Sequence, residues 1–72
     1  MQSSGQVYNT VQSERKARGI TQEELAVAVG VTRQTIISIE KGNYVPSVLL
    51  AIKIATFFKL HVEQVFTVSR KT

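Results

Sequence analysis

The chain has 72 residues, of which 43% are apolar and 19% charged, and a formal net charge of +4. That length holds one domain with a single hydrophobic core, and the composition is that of a globular chain and not of a disordered one. With no cysteine and one histidine, the sequence excludes disulfide frameworks, thiolate zinc sites and thiol catalysis, gives no reason to expect a cofactor, and fits a reducing, cytoplasmic setting.

In chain order, residues 1–6 lack the basic start and apolar run of a secretory signal and read as a flexible tail. Asn9 or Thr10 can cap a first helix over about residues 10–18, which carries Val11 and the charged residues Glu14, Arg15, Lys16 and Arg18 and is closed by Gly19. Thr21, with Glu24 three residues on, forms a capping box for a second helix over 22–29, where Leu25, Ala28 and Val29 make the apolar stripe before Gly30. Thr32 can cap a third helix over 33–41 that turns Ile36 and Ile39 inward and ends at Lys41-Gly42. Pro46-Ser47 opens a fourth, in which Val48, Ala51, Ile54, Ala55 and Phe58 recur at the spacing of a buried face. A short fifth, over 62–66, has His61 at its cap and Val62, Val65 and Phe66 as apolar contacts. The expected fold is an all-α bundle of five helices occupying residues 7–68, with 69–72 as a second tail.

The longest apolar stretch, Val48 to Leu60, is about half the roughly 20 residues a bilayer span needs and is interrupted by Lys53, Thr56 and Lys59. All five acids are Glu, at positions 14, 23, 24, 40 and 63. A catalytic triad or a converging carboxylate pair in a cleft is hard to build from this set, so an enzyme is not expected.

On a helical wheel, Ile36, Ile39 and Thr35 lie on one side of the third helix. Arg33, Gln34, Ile37, Ser38 and Lys41 lie together on the other, with Glu40 at its edge. A face that presents Arg and Gln without a carboxylate suits a DNA major groove, where Arg bridges guanine O6 and N7 and Gln bridges adenine N6 and N7. In an isolated helix the same residues would be only a solvated polar face. The run from Gln22 to Lys41 supplies the context: Leu25, Val29, Val31, Ile36 and Ile39 as a shared core, Ala26 small at the helix crossing, and Gly30 in the turn, all in a helix-turn-helix pattern.

From Val7 to Phe66, through Ala17-Arg18-Gly19-Ile20-Thr21-Gln22-Glu23-Glu24-Leu25-Ala26, Val31-Thr32-Arg33-Gln34-Thr35-Ile36, Ile39-Glu40-Lys41-Gly42, Pro46-Ser47 and Val65-Phe66, the sequence resembles the phage repressor and Cro, or XRE-type, helix-turn-helix family. It is most similar to the short one-domain bacterial members. The resemblance implies a lambda-repressor-like domain that binds double-stranded DNA as a homodimer and regulates transcription. It places Thr32, Arg33, Gln34, Ile37 and Ser38 at base-contacting positions, and Thr21, Gln22, Lys41, Asn43 and Tyr44 along the phosphate backbone. It also implies a partly buried salt bridge between Arg15 and Glu40.

Three departures from the family pattern stand out. Glu14 occupies a position often held by Leu or Ile, Lys59 one often held by Gly or Asn, and Leu49 one often polar and therefore expected to be exposed. Val7-Tyr8 and Phe66-Thr67-Val68 carry β-favouring residues that in some short relatives pair as a two-stranded sheet. Val62, Val65 and Phe66 are either the floor of the monomer core or contacts of a two-fold dimer. No effector pocket, small-molecule ligand or membrane partner is apparent. The alternatives to a DNA-binding regulator are an antitoxin-like protein-interaction module on the same fold, with Ile37, Leu49 and Phe57 as contacts, and nonspecific nucleic-acid association driven by net charge.

Overall fold

Local side-chain capping sets the element boundaries in the computed structural model, which describes residues 6–68. Strand β1 (Val7–Asn9) leads into α1 (Val11–Ala17), α2 (Gln22–Val29), α3 (Arg33–Glu40), α4 (Val48–Phe57), α5 (Val62–Val65) and strand β2 (Phe66–Val68). The expected tails fall outside the described residues, apart from Gln6.

The Thr21 hydroxyl oxygen accepts from Glu24 N–H while the Glu24 carboxylate accepts from Thr21 N–H, so the capping box closes in both directions. Thr32 and Ser47 accept from the amides of Thr35 and Leu50 in the same manner. At α1 the cap comes from Asn9: its carboxamide oxygen accepts from Val11 N–H, whereas Thr10 makes no capping bond. The Asn9 amide nitrogen donates 2.9 Å to the Ile39 carbonyl, so one side chain joins β1, the start of α1 and the end of α3. His61 sits at the cap of α5 without a side-chain capping bond; Gln64 reaches back and accepts from His61 N–H.

The strands pair antiparallel with Val7 opposite Val68, Tyr8 opposite Thr67 and Asn9 opposite Phe66. Phe66 therefore belongs to β2 and α5 ends one residue earlier than expected.

Below the sheet, Val11, Leu25, Ala26, Val29, Ile36, Ile39, Leu50, Ile54, Ala55, Phe58 and Val65 form one core drawn from all five helices. Three residues of the expected apolar stripes lie outside it: Val48, Ala28 and the half-buried Ala51. Val48 is 76% exposed: the buried stripe of α4 centres on Leu50, Ile54, Ala55 and Phe58, and Val48 stands at its edge in the first position after the Ser47 cap. The unbroken apolar run Val48-Leu49-Leu50 leaves the buried side of the first turn ambiguous in sequence. In α2, Ala28 is exposed and Ala26 is buried at 1%, where α2 crosses its neighbours. Leu49 is exposed, as expected.

Glu14 is accommodated by Arg18, which pairs with it at 2.7 Å. The Arg18 guanidinium also lies 4.8 Å from the centroid of the Phe58 ring and donates to the Phe58 carbonyl. A cation on an aromatic face thus ties the end of α1 to the end of α4.

The turn after α4 is closed by a bond from Leu60 N–H to the Ala55 carbonyl, and it holds Lys59 at φ 62°. A left-handed backbone costs a residue with a Cβ roughly 1–2 kcal/mol, and glycine returns part of that gain through its freer unfolded chain. Lys59→Gly should therefore stabilise the fold by up to about 1 kcal/mol in urea unfolding; a destabilised variant would show that the lysine side chain holds this turn by contacts of its own.

Candidate nucleic-acid interface

Gly30, at φ 80°, lets the chain leave α2 and enter α3 within a few residues, and Val31 N–H closes the turn on the Ala26 carbonyl. With Ala26 at the crossing and Val31 packed against the core, α3 is seated by Ile36 and Ile39, both fully buried. Its other side is then fixed outward by geometry.

On that outward side Arg33 and Gln34 are exposed, with Ile37 and Ser38 half-buried beside them and exposed Lys41 capping the end of the helix. Neither Arg33 nor Gln34 is hydrogen-bonded to another described residue. Among the described residues nothing takes up their donor and acceptor capacity. Thr32 is exposed, but its hydroxyl oxygen accepts from Thr35 N–H and shares a 3.1 Å bond with the Thr35 hydroxyl. It is first a cap.

The acid at the edge of this face is neutralised internally. Arg15 Nε donates to Glu40 Oε2 at 2.7 Å and its Nη2 to Oε1 at 3.1 Å, with side chains only 9% and 3% exposed. Arg15 Nη1 donates to the Ile20 carbonyl, filling the guanidinium's third side. The bond to Glu40 raises the Arg15 pKa above its ordinary value against the opposing effect of burial, so the cation persists across the working pH range. Gln22, at the first position of α2, adds a third member by donating 3.1 Å to Glu40 Oε1. The sequence gives no sign of this link, because an amide at a helix start reads as a solvent or phosphate contact.

Thr21 and Gln22 stand at the N-terminus of α2, where unpaired backbone amides and the helix dipole favour an anion. Lys41, Asn43 and Tyr44 are exposed in the segment after α3. Of the residues expected at a dimer contact, Val65 is 1% exposed inside the monomer's own core and has no surface to offer a second copy. Val62 and Phe66 are half-buried against that core. A different apolar surface was missed. The outer side of α4 and the end of α2 line a groove of about 480 Å³ that includes Val27, Ile52 and Phe57, and Leu49 lines a smaller neighbouring one. The sequence treats Ile37, Leu49 and Phe57 as scattered; Ile37 does stand apart, but Leu49 and Phe57 lie along one side of α4.

This arrangement of two helices around a tight turn matches a family model described as helix-turn-helix over residues 11–65. The protein belongs to the XRE-type helix-turn-helix family. It is 53% identical over 58 residues to the uncharacterized HTH-type transcriptional regulator YgzD of Bacillus subtilis, which covers 81% of this chain and 88% of that protein. It is 54% identical over 57 residues to an uncharacterized HTH-type transcriptional regulator of Methanothermobacter thermautotrophicus, covering 78% and 83%. Similarity is thus as high to an archaeal protein as to a bacterial one. Among solved structures, the helix-turn-helix domain superposes on the restriction-modification controller protein C.AhdI of Aeromonas hydrophila with a TM-score of 0.71 at 28% identity, covering 75% of this chain and 82% of that one. The clp gene regulator ClgR of Corynebacterium glutamicum gives 0.72 at 25% identity, over 76% and 58%. The family is one of DNA-binding transcriptional regulators and not of enzymes. No helix among the described residues is long and apolar enough to cross a membrane.

Removing Arg15 leaves the Glu40 carboxyl shielded from water without its ionic partner, so Arg15→Ala should destabilise this helix-turn-helix domain by about 3–5 kcal/mol in urea unfolding, whereas a surface pair would account for under about 1. Replacing both partners with apolar residues of similar volume should recover most of the loss.

Proposed function

We propose that this DNA-binding regulator is a sequence-specific repressor that acts as a homodimer on an inverted-repeat operator in the cytoplasm. The observation that carries the reading is the division of α3 into a wholly buried side, Ile36 and Ile39, and an outward side whose Arg33 and Gln34 are free to bond. In the major groove Arg33 pairs with guanine and Gln34 with adenine, Ser38 bonds a neighbouring base edge, Ile37 packs on a thymine methyl group, and the Thr32 cap borders the first base. Thr21, Gln22, Lys41, Asn43 and Tyr44 contact phosphates, which sets register and orientation and not sequence choice.

A small core supports the homodimer reading, since a domain of this size gains stability from association. Val62 and Phe66 are the surface contacts assigned to the dimer in this proposal. Two α3 helices related by a dyad meet half-sites about 10–10.5 base pairs apart. Occupying an operator blocks polymerase without any further surface, which favours repression. The groove between α2 and α4 supports a second reading, an antitoxin-like module whose fold holds another protein, because Val27 and Ile52 are 70% and 50% exposed there.

Selection of binders from a random duplex pool at physiological salt should enrich an inverted repeat with half-sites one turn apart. On that operator, Arg33→Ala should cost about 1–3 kcal/mol and relax choice at one base pair per half-site. Salt-sensitive retention without enrichment would overturn the reading in favour of nonspecific association, and no retention would favour the protein-interaction module.

A further inference from the structure

Resting on the DNA reading above, we propose that Glu40 is a positioning residue for DNA binding: held by Arg15, it fixes the Gln22 carboxamide so that the second amide hydrogen is presented to a phosphate. A carboxamide is planar and carries two N–H groups. The Gln22 amide nitrogen donates one of them to Glu40 Oε1 at 3.1 Å, which sets the direction of the other. A free glutamine samples many rotamers, and ordering it on contact with DNA costs binding energy that a pre-set side chain does not lose.

A carboxylate beside a phosphate would by itself repel the DNA. Here the charge is balanced by the two-point contact with Arg15, and the carboxylate is 3% exposed. Arg15 in turn is braced by the Ile20 carbonyl, immediately before the cap that starts α2. The three side chains come from α1, the first position of α2 and the last position of α3. The link therefore joins the anchoring helix to the recognition helix. The pose of the phosphate contact and the seat of the base-reading face are set by the same carboxylate.

The test is a double-substitution cycle on the selected operator with Glu40→Gln, Gln22→Met and the pair, each corrected for folded fraction by circular dichroism. Loss of a pre-oriented amide on a phosphate should weaken binding about five- to tenfold in either single variant. The pair should be no weaker than Gln22→Met alone. Removing a negative charge near DNA should tighten binding if Glu40 acts only through its charge, so the sign of the Glu40→Gln effect discriminates. Tighter binding overturns the proposal, and so does a Glu40→Gln loss of the same size in the wild-type and Gln22→Met backgrounds. Should Glu40→Gln fail to fold, the wild-type protein decides. In its free state one of the two Gln22 side-chain amide protons should exchange with water more slowly than either proton of the exposed Gln34, and equal exchange overturns the positioning. If the wild-type protein selects no duplex, the DNA reading itself fails, and the amide-proton measurement still reports separately on the Gln22–Glu40 link.

Discussion

The ion pair between Arg15 and Glu40 is the constraint on which the placement of the three N-terminal helices depends. An arginine and a glutamate this thoroughly shielded from water are tolerated only because the fork of the guanidinium meets both carboxylate oxygens and a backbone carbonyl fills its remaining side. Apolar packing of α2 on α3 is non-directional, whereas a two-point charged contact fixes direction as well as distance. The α3 helix is therefore held by fit at Ile36 and Ile39 and by direction at Glu40. Asn9 adds a neutral bond to the carbonyl just before Glu40, so the last turn of α3 is gripped from both α1 and the sheet.

Most of the fold could be read from the sequence because its punctuation acts locally. Thr21 with Glu24, Thr32, Ser47 and Gly30 each satisfy backbone groups within a few residues, and such bonds do not depend on the rest of the molecule. What could not be read depends on distant partners. Asn9 caps α1 in place of Thr10 because its other end reaches Ile39, thirty residues on. Glu14 looks like a gap in the apolar side of α1 until Arg18 is seen lying on Phe58, forty residues away. Val48 was expected inside because α4 is apolar on nearly all sides, and periodicity gives no direction when there is little polar contrast.

The candidate site was legible to a different degree. The outward face of α3 follows from helical spacing once Ile36 and Ile39 are known to be buried. The state of each side chain on it does not follow. Thr32 is engaged in its cap and Gln22 in its bond to Glu40, whereas Arg33 and Gln34 have no such ties among the described residues. Val65 shows the limit from the other direction: an apolar residue near the chain's end fits a core floor or a dimer contact equally well by sequence, and its complete enclosure is a property of five helices together. The apolar side of α4 was overlooked for the same reason.

The register of the small sheet has a mechanical consequence. Val7 lies opposite Val68, so the two strands enter and leave the domain at the same edge, and the five helices form a closed loop gathered by three residue pairs. A force pulling Val7 and Val68 apart would load the strand pairs one after another, as in opening a zipper, and not all at once as in shear. The clasp would give way at low force and pass the load to Asn9, whose side chain bonds the Ile39 carbonyl at the end of α3, and then to Thr10, whose amide bonds the Val65 carbonyl. Tension on the ends of this domain is thus transmitted to the last turn of α3 before any of the core is exposed.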